Sequence, residues 1–162
     1  YEIGVRLVGS EMCIRDSSMN SRDGERMAYA NSVWVLMDTK KGIPVRVTKE
    51  ISDAYGLDPQ LPMQCSERKI MLPEKYEEKD SLVVPSYFID TNHHMNNTRY
   101  VQVAMEYVPK EFRTMEVRVE YKKAAMCRDV IVPHVTIEDP RVTVALCAPD
   151  GQPYAVVVFL KA

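Results

Sequence analysis

One stretch of this chain has the periodicity of a long helix, and patterns typical of strands surround it. Apolar residues recur at helical spacing from Tyr100 to Val108, where Pro109 ends the pattern, so the sequence predicts a helix over residues 97–108. Residues 115–121 then alternate apolar with charged or polar side chains, which predicts a strand whose polar side faces solvent. A sheet with a single long helix to cover it must curl around that helix to bury both apolar faces. The sequence therefore predicts an α+β hotdog fold.

Turn and capping residues place the remaining elements. A turn signal at 39–42 follows a run of β-branched and aromatic residues, which predicts a strand and a hairpin. A short helix over 48–55 is expected to end at Gly56, because glycine is the usual residue just past a helix C-terminus. The pair Asp150-Gly151 is a strong hairpin signal. The strand patterns cover residues 28–38, 81–89, 130–137, 142–147 and 154–160.

Composition excludes several classes of function. The 162 residues carry 21 basic and 23 acidic side chains, a net charge of −2 with no basic block, so nucleic acid is not an expected partner. No apolar run approaches the roughly 18 to 20 residues that cross a bilayer, so no membrane association is expected. The four cysteines are scattered without a CxxC pair, which argues against a disulfide framework and a zinc site and favours a reducing cytoplasm.

The candidate site is a polar cluster between the 81–89 strand and the long helix. In an extended chain, side chains two residues apart share a face, so Asp90, Asn92 and His94 would gather a carboxylate, an amide and an imidazole on one side. Taken alone, Asp90 and Asn92 are equally typical of a turn. A metal site is not expected at His93 and His94, because adjacent strand residues face opposite ways, and His134 is assigned no role.

Residues 90–100 resemble a known family. Their sequence is similar to the Asp-x-Asn-x-His-x-Asn-Asn-x-x-Tyr signature of acyl-ACP thioesterases, and residues 32–46 and 119–123 resemble other parts of that family. The resemblance implies hydrolysis of the thioester between a fatty acyl chain and acyl carrier protein, with no cofactor or metal.

The resemblance also implies roles for the three clustered side chains. Asp90 would activate water or orient the imidazole, His94 would handle the proton or position water, and Asn92 would lie near the carbonyl. Asn96 is expected to cap the helix, whose first backbone N–H groups would add positive potential where negative charge develops.

One departure from the family affects the expected mechanism. Plant members carry an adjacent glutamate and cysteine at positions that fall, without gaps, on Ala124 and Ala125. Cys127 lies nearby but only in a shifted register, so it is discounted as a nucleophile. Direct attack by an activated water is therefore expected rather than a Cys-His acyl-enzyme route.

The domain prediction follows from the tandem hotdog domains of complete family members. Residues 9–17 resemble a translated sequencing-adapter scar, so residues 1–18 are interpreted as a non-native leader. Residues 19–56 are then a remnant of the N-terminal hotdog, 57–66 a linker, and 67–162 the C-terminal hotdog.

Two other functions and the oligomeric state stay open. The expected enzyme is bacterial and cytoplasmic, with acylated acyl carrier protein as its substrate. A single-hotdog acyl-CoA thioesterase acting as a homodimer needs the same chemistry. A non-catalytic hotdog that binds acyl chains or scaffolds a partner would fit the alanines at positions 124 and 125.

Overall fold

A computed structural model describes residues 2–7, 12–54, 59, 61–62 and 69–161 of the chain. The chain divides into two compact units, Tyr1–Ser66 and Glu67–Ala162. Neither described helix is long and apolar enough to cross a bilayer.

The first unit is built on a three-stranded antiparallel sheet in the order β1-β2-β3. Its strands are β1 (Glu2–Leu7), β2 (Met12–Asn20) and β3 (Arg26–Val35). Most of β2 falls within residues 1–18. The prediction that this segment is a non-native leader concerns its origin rather than its conformation, and it stays a prediction.

A hairpin and a short helix complete the first unit. Strands β4 (Met37–Asp38) and β5 (Ile43–Pro44) pair across the expected turn, where Asp38 Oδ1 accepts hydrogen bonds from two backbone N–H groups at 2.8 and 3.0 Å. Gly42 closes the turn with a φ of +66°, which glycine adopts without strain. Helix α1 (Lys49–Ala54) confirms the short helix. Its expected cap at Gly56 lies outside the described residues, as does most of the expected linker.

The second unit has the predicted hotdog architecture. An antiparallel sheet in the order β6-β9-β10-β11-β8, with β7 added beside β9, packs β10 and β11 against helix α2. The Asp150-Gly151 turn joins β10 to β11 as expected, with Gly151 at a φ of +83°. The elements are β6 (Glu77–Glu78), β7 (Leu82–Val83), α2 (Asn97–Met105), β8 (Thr114–Tyr121), β9 (Val130–Glu138), β10 (Arg141–Cys147) and β11 (Pro153–Lys161).

The core of this unit lies between α2 and the centre of the sheet. Tyr100 and Ala104 of α2 are buried with Val144, Val157 and Phe159 of β10 and β11. The opposite face of the same two strands is buried as well, in a second cluster that includes Ile70. Burial on both faces explains why these strands read as nearly continuous apolar runs rather than as alternating ones.

Two element boundaries differ from the prediction. The 81–89 strand is wrong beyond β7, because Pro85 has no N–H for a ladder and residues Ser86–Phe88 instead form a 3₁₀ turn, in which Phe88 N donates to Pro85 O at 3.0 Å. Helix α2 ends at Met105, three residues early. Val108 N donates to Met105 O at 3.1 Å, an i to i+3 bond typical of a tightened helix end.

The expectation that the polar side of β8 faces solvent is wrong for Arg118 and Glu120, although Val119 on the apolar side packs against the core as the pattern implies. Met115 and Val117 are 63% and 46% exposed, whereas Arg118 and Glu120 on the other face are half-buried. The reason is tertiary, since β8 is an edge strand, α2 packs over β10 and β11, and the chain at Ile70 covers the polar face. Ile70 N donates to the Glu120 carboxylate at 3.0 Å.

Candidate active site

The signature residues form a tight turn, not an extended strand. Ile89 and Met95 make an antiparallel bridge, Asp90 N donates to His94 O at 2.9 Å, and His93 N donates to Asp90 O at 3.0 Å. His93 takes a φ of +62° to close the turn. The prediction of one shared strand face is therefore wrong, and the alternative of a turn is confirmed.

The chemistry of aspartate explains this turn. Asp90 Oδ1 accepts a hydrogen bond from Asn92 N at 2.8 Å, which is the side-chain-to-backbone bond of an Asx turn. That bond competes with strand pairing, so a polar segment after a proline-interrupted strand folds back on itself. The second carboxylate oxygen of Asp90 accepts no hydrogen bond from the described residues.

A surface cleft of about 380 Å³ begins at Asp90 and runs along the first turns of α2. Asp90 is half-buried there, whereas Asn92 and His94 are exposed on the turn and are not part of the cleft wall. The structure thus brings one of the three expected side chains to the cleft and leaves the other two exposed on the same turn. The cleft is lined by Tyr87, Phe88, Ile89, Asp90, Asn96, Thr98, Arg99 and Gln102.

Asn96 caps helix α2, as the sequence predicted. Its side-chain Oδ1 accepts from Thr98 N and its backbone oxygen accepts from Arg99 N, both at 2.9 Å. The positive end of the helix dipole consequently lies at the cleft, where it favours negative charge.

The loop after β8 is hydrogen-bonded to the end of the signature turn and to helix α2. Met95 N donates to Ala125 O, and Ala125 N donates to the Tyr100 hydroxyl, both at 2.8 Å. Met95, Tyr100 and Ala125 are all buried. Ala125 is thus a buried residue next to the signature turn, whereas Cys127 is exposed.

The tyrosines around this loop are neutral hydrogen-bonding groups at neutral pH. Burial is the main cause that raises the pKa of Tyr100 above its ordinary value, and nearby carboxylates, including Asp90, raise it further. Burial also raises the pKa of Tyr121, whose hydroxyl donates to Asn97 O at 3.1 Å. The two rings meet edge to face, with centroids 5.7 Å apart.

Sequence reasoning did not single out Arg99 and Gln102, two polar residues of the cleft wall. The guanidinium carbon of Arg99 lies 5.2 Å from the centre of the Phe88 ring, and Arg99 Nη1 donates to Gln102 Oε1 at 2.8 Å. The signal was present in the spacing, since Asn96, Arg99 and Gln102 are three residues apart and neighbours on a helix surface.

The described residues contain no group of three or more His, Cys, Asp or Glu side chains that could hold a metal ion. The expectation of chemistry without a metal or cofactor stays a prediction.

The fold of the second unit, an antiparallel sheet with one long helix packed on it, is a hotdog. The crystal structure of an acyl-ACP thioesterase from Bacteroides thetaiotaomicron VPI-5482 superposes with a TM-score of 0.83 at 19% identity, covering 98% of this chain and 66% of that one. At this level of identity the likeness establishes the fold.

The family follows from sequence comparison. A family model of the acyl-ACP thioesterase C-terminal domain matches residues 72–144, and one of the N-terminal domain matches residues 7–55. The chain belongs to the acyl-ACP thioesterase family.

Two curated relatives come from plants. The chain is 30% identical over 131 residues to the chloroplastic acyl-[acyl-carrier-protein] hydrolase FATB2 of Cuphea viscosissima. The matched region covers 72% of this chain and 31% of the relative. The chain is also 30% identical over 131 residues to the chloroplastic palmitoyl-acyl carrier protein thioesterase of Cuphea hookeriana, covering 72% of this chain and 30% of that protein. The chain thus spans about a third of the length of these relatives.

Proposed function

We propose that this chain hydrolyses the thioester of fatty acyl-ACP and releases the free fatty acid and the carrier protein. The observation that carries the proposal is the half-buried carboxylate of Asp90, which lines a cleft at the positive end of α2. A carboxylate can take a proton from water, and the helix end favours the oxyanion that forms when that water attacks a carbonyl. Membership of the acyl-ACP thioesterase family supports the choice of substrate.

The proposed reaction is direct hydrolysis. Water attacks the thioester carbonyl carbon while Asp90 takes its proton, which gives a tetrahedral oxyanion near the first turn of α2. The carbon–sulfur bond then breaks, and the pantetheine sulfur leaves with the proton. His94 is assigned the handling of that proton, and Asn92 a hydrogen bond to the reacting carbonyl, both from the turn beside the cleft. The buried Ala125, which carries no nucleophile, supports hydrolysis by water over an acyl-enzyme route.

The setting of the enzyme is also proposed. The two cysteines whose side chains are described, Cys127 and Cys147, are free, which supports a reducing compartment such as the bacterial cytoplasm. The carrier protein would be the partner that delivers the acyl chain. The proposal leaves open whether two copies of the chain form a homodimer.

The predicted domain boundaries are kept as a proposal, with residues 19–56, 57–66 and 67–162 as N-terminal hotdog, linker and C-terminal hotdog. The N- and C-terminal family matches and the division of contacts at Ser66 support it. The N-terminal match begins at residue 7, inside the proposed leader 1–18. Sequencing the source gene across this region would decide the leader, because an uninterrupted native reading frame through residues 1–18 would refute it.

The activity is tested by measuring thiol release from acyl-ACP with purified chain. Asp90→Asn keeps the Oδ1 acceptor of the turn but removes the base, so we expect the rate to fall by a factor of about 10²–10⁴ with the fold intact. Asp80→Asn is the matched control, because Asp80 is exposed and is not part of the cleft wall. Unchanged turnover in Asp90→Asn would refute the proposal. Equal or better turnover of the matched acyl-CoA would reject the carrier protein as the preferred substrate.

A further inference from the structure

The polar side chains along α2 present hydrogen-bond donors to the cleft. Asn96 Oδ1 is already occupied by Thr98 N, so the Asn96 side chain has its two amide N–H groups left to offer. Gln102 Oε1 is occupied in the same way by Arg99 Nη1, which leaves the two N–H groups of the Gln102 amide. Both amide orientations are fixed by chemistry, because only the oxygen can accept from an N–H donor.

Arg99 adds further donors to the same wall. A guanidinium carries five N–H groups and no acceptor, and one of its nitrogens is engaged with Gln102. The Phe88 ring, 5.2 Å away, and the bond to Gln102 hold the half-buried Arg99 side chain in place. We call Asn96, Arg99 and Gln102 together the donor wall; all three line the cleft of about 380 Å³.

The charge of the cleft favours a neutral ligand. Arg99 and Asp90 line the same cleft, so a positive and a negative side chain offset each other. A fatty acyl chain has no acceptor for the donor wall and would leave its N–H groups without partners, which is costly. The cleft volume is at the lower end of small-molecule sites, so the group that fills it is small. The fitting ligand is therefore a small, uncharged segment that is rich in carbonyl groups.

We infer that the donor wall binds the amide carbonyls of the pantetheine arm that carries the thioester. The arm has two amide groups close to its sulfur, so a thioester placed at Asp90 brings those carbonyls along α2. The acyl chain leaves the thioester on the other side and does not occupy the donor wall. This inference rests on the proposed thioester hydrolysis and adds which residues recognise the arm.

The test exchanges donors for acceptors without changing side-chain shape. Gln102→Glu keeps an oxygen for Arg99, and Asn96→Asp keeps the helix cap, but each replaces two N–H groups by an oxygen. The measured quantity is the ratio of kcat/KM for an acyl-pantetheine to kcat/KM for the same acyl group on ethanethiol, which has no amide. We expect this ratio to fall about tenfold in each variant, the effect of losing one good hydrogen bond and gaining a repulsion.

Gln152→Glu is the matched control for Gln102→Glu. It makes the same chemical change and the same change in net charge on an exposed residue of the β10–β11 turn, away from the cleft. The ratio should stay at the wild-type value in this control. A ratio in Gln102→Glu and Asn96→Asp that equals the wild-type ratio would overturn the inference while leaving the proposed hydrolysis intact.

A binding measurement keeps the inference testable without turnover. S-methylpantetheine, titrated into isotopically labelled chain, should shift the side-chain amide signals of Asn96 and Gln102 and the Nε–H signal of Arg99. It should bind the Gln102→Glu variant about tenfold more weakly than the Gln152→Glu control. Shifts confined to other parts of the chain, or equal affinity for both variants, would overturn the inference. Absence of hydrolysis with these shifts present would instead refute only the proposed function.

Discussion

Replacing Tyr100 by phenylalanine should destabilise the second unit and loosen the signature turn. The Tyr100 hydroxyl is the acceptor for Ala125 N at 2.8 Å, and both residues are buried, with exposures of 2% and 0%. Without the hydroxyl, this N–H group stays buried without a partner, which costs about 1–3 kcal/mol. The Ala125 carbonyl, which accepts from Met95 N, belongs to the same loop, so the loss reaches the turn that carries Asp90.

The expected size of the effect follows from these contacts. A loss of about 2 kcal/mol, the middle of the range, lowers the melting temperature of a unit of this size by roughly 8–16 °C. The assay is thermal unfolding followed by circular dichroism, together with amide hydrogen exchange of Ala125 and Met95. Both amides should exchange faster in Tyr100→Phe.

The matched control is Tyr121→Phe. The Tyr121 hydroxyl donates to Asn97 O, but Tyr121 is 45% exposed, so water can replace the lost bond and stability should change by less than about 0.5 kcal/mol. The reasoning is refuted if Tyr100→Phe melts within 2 °C of the wild type, a margin of roughly 0.5 kcal/mol, or if both variants lose the same stability.

Three further results are expected. Burial raises the folded-state pKa of Tyr100 above its ordinary 10.0, so the unfolded chain ionises first. The contribution of Tyr100 to the free energy of unfolding should therefore be fully present below pH 10 and be lost as pH rises beyond it. In urea titrations at pH 9 to 11, the fall in the free energy of unfolding should be smaller in Tyr100→Phe. Asn96→Ala removes the cap of α2 and should cost about 0.5–2 kcal/mol of unfolding free energy in urea, whereas equal losses in Asn96→Ala and Asn96→Asp would contradict a capping role. Burial raises the pKa of the Cys147 thiol to about 11, so this thiol should react slowly at pH 8. Peptide mapping after brief alkylation at pH 8 should therefore find the exposed Cys127 modified and Cys147 intact. Faster labelling of Cys147 than of Cys127 would be inconsistent with the core packing.

Local chemistry made much of this structure predictable. The hairpin at Gly42, the β10–β11 turn at Gly151 and the Asn96 cap each depend on residues within a few positions of one another, and all three are confirmed. The family motif was predictable for the same reason, because it is one continuous segment. Its conformation was predicted as a strand face but is a turn, since the Asp90 side chain bonds to Asn92 N.

Contacts between distant segments account for the wrong predictions. The alternation in β8 did not predict that Arg118 and Glu120 would be half-buried or that Met115 and Val117 would be exposed, because the pattern alone gives two faces but not which neighbour covers each. The sequence likewise gave no sign that Ala125 would lie behind Met95, 30 positions earlier, since the hydrogen bond between them forms only when the loop after β8 folds back.

The class of fold, the capped helix and the segment that carries Asp90 were predictable from residue order, because hydrophobic period and side-chain-to-backbone bonds act over a few residues. The folded chain alone shows that Asp90 lines the cleft, that Asn92 and His94 are exposed on the same turn, and that Arg99 and Gln102 join Asn96 in one wall. This arrangement depends on the 3₁₀ turn at Phe88 and the loop at Ala125, which fix how the signature turn meets α2 and which are brought together only by folding.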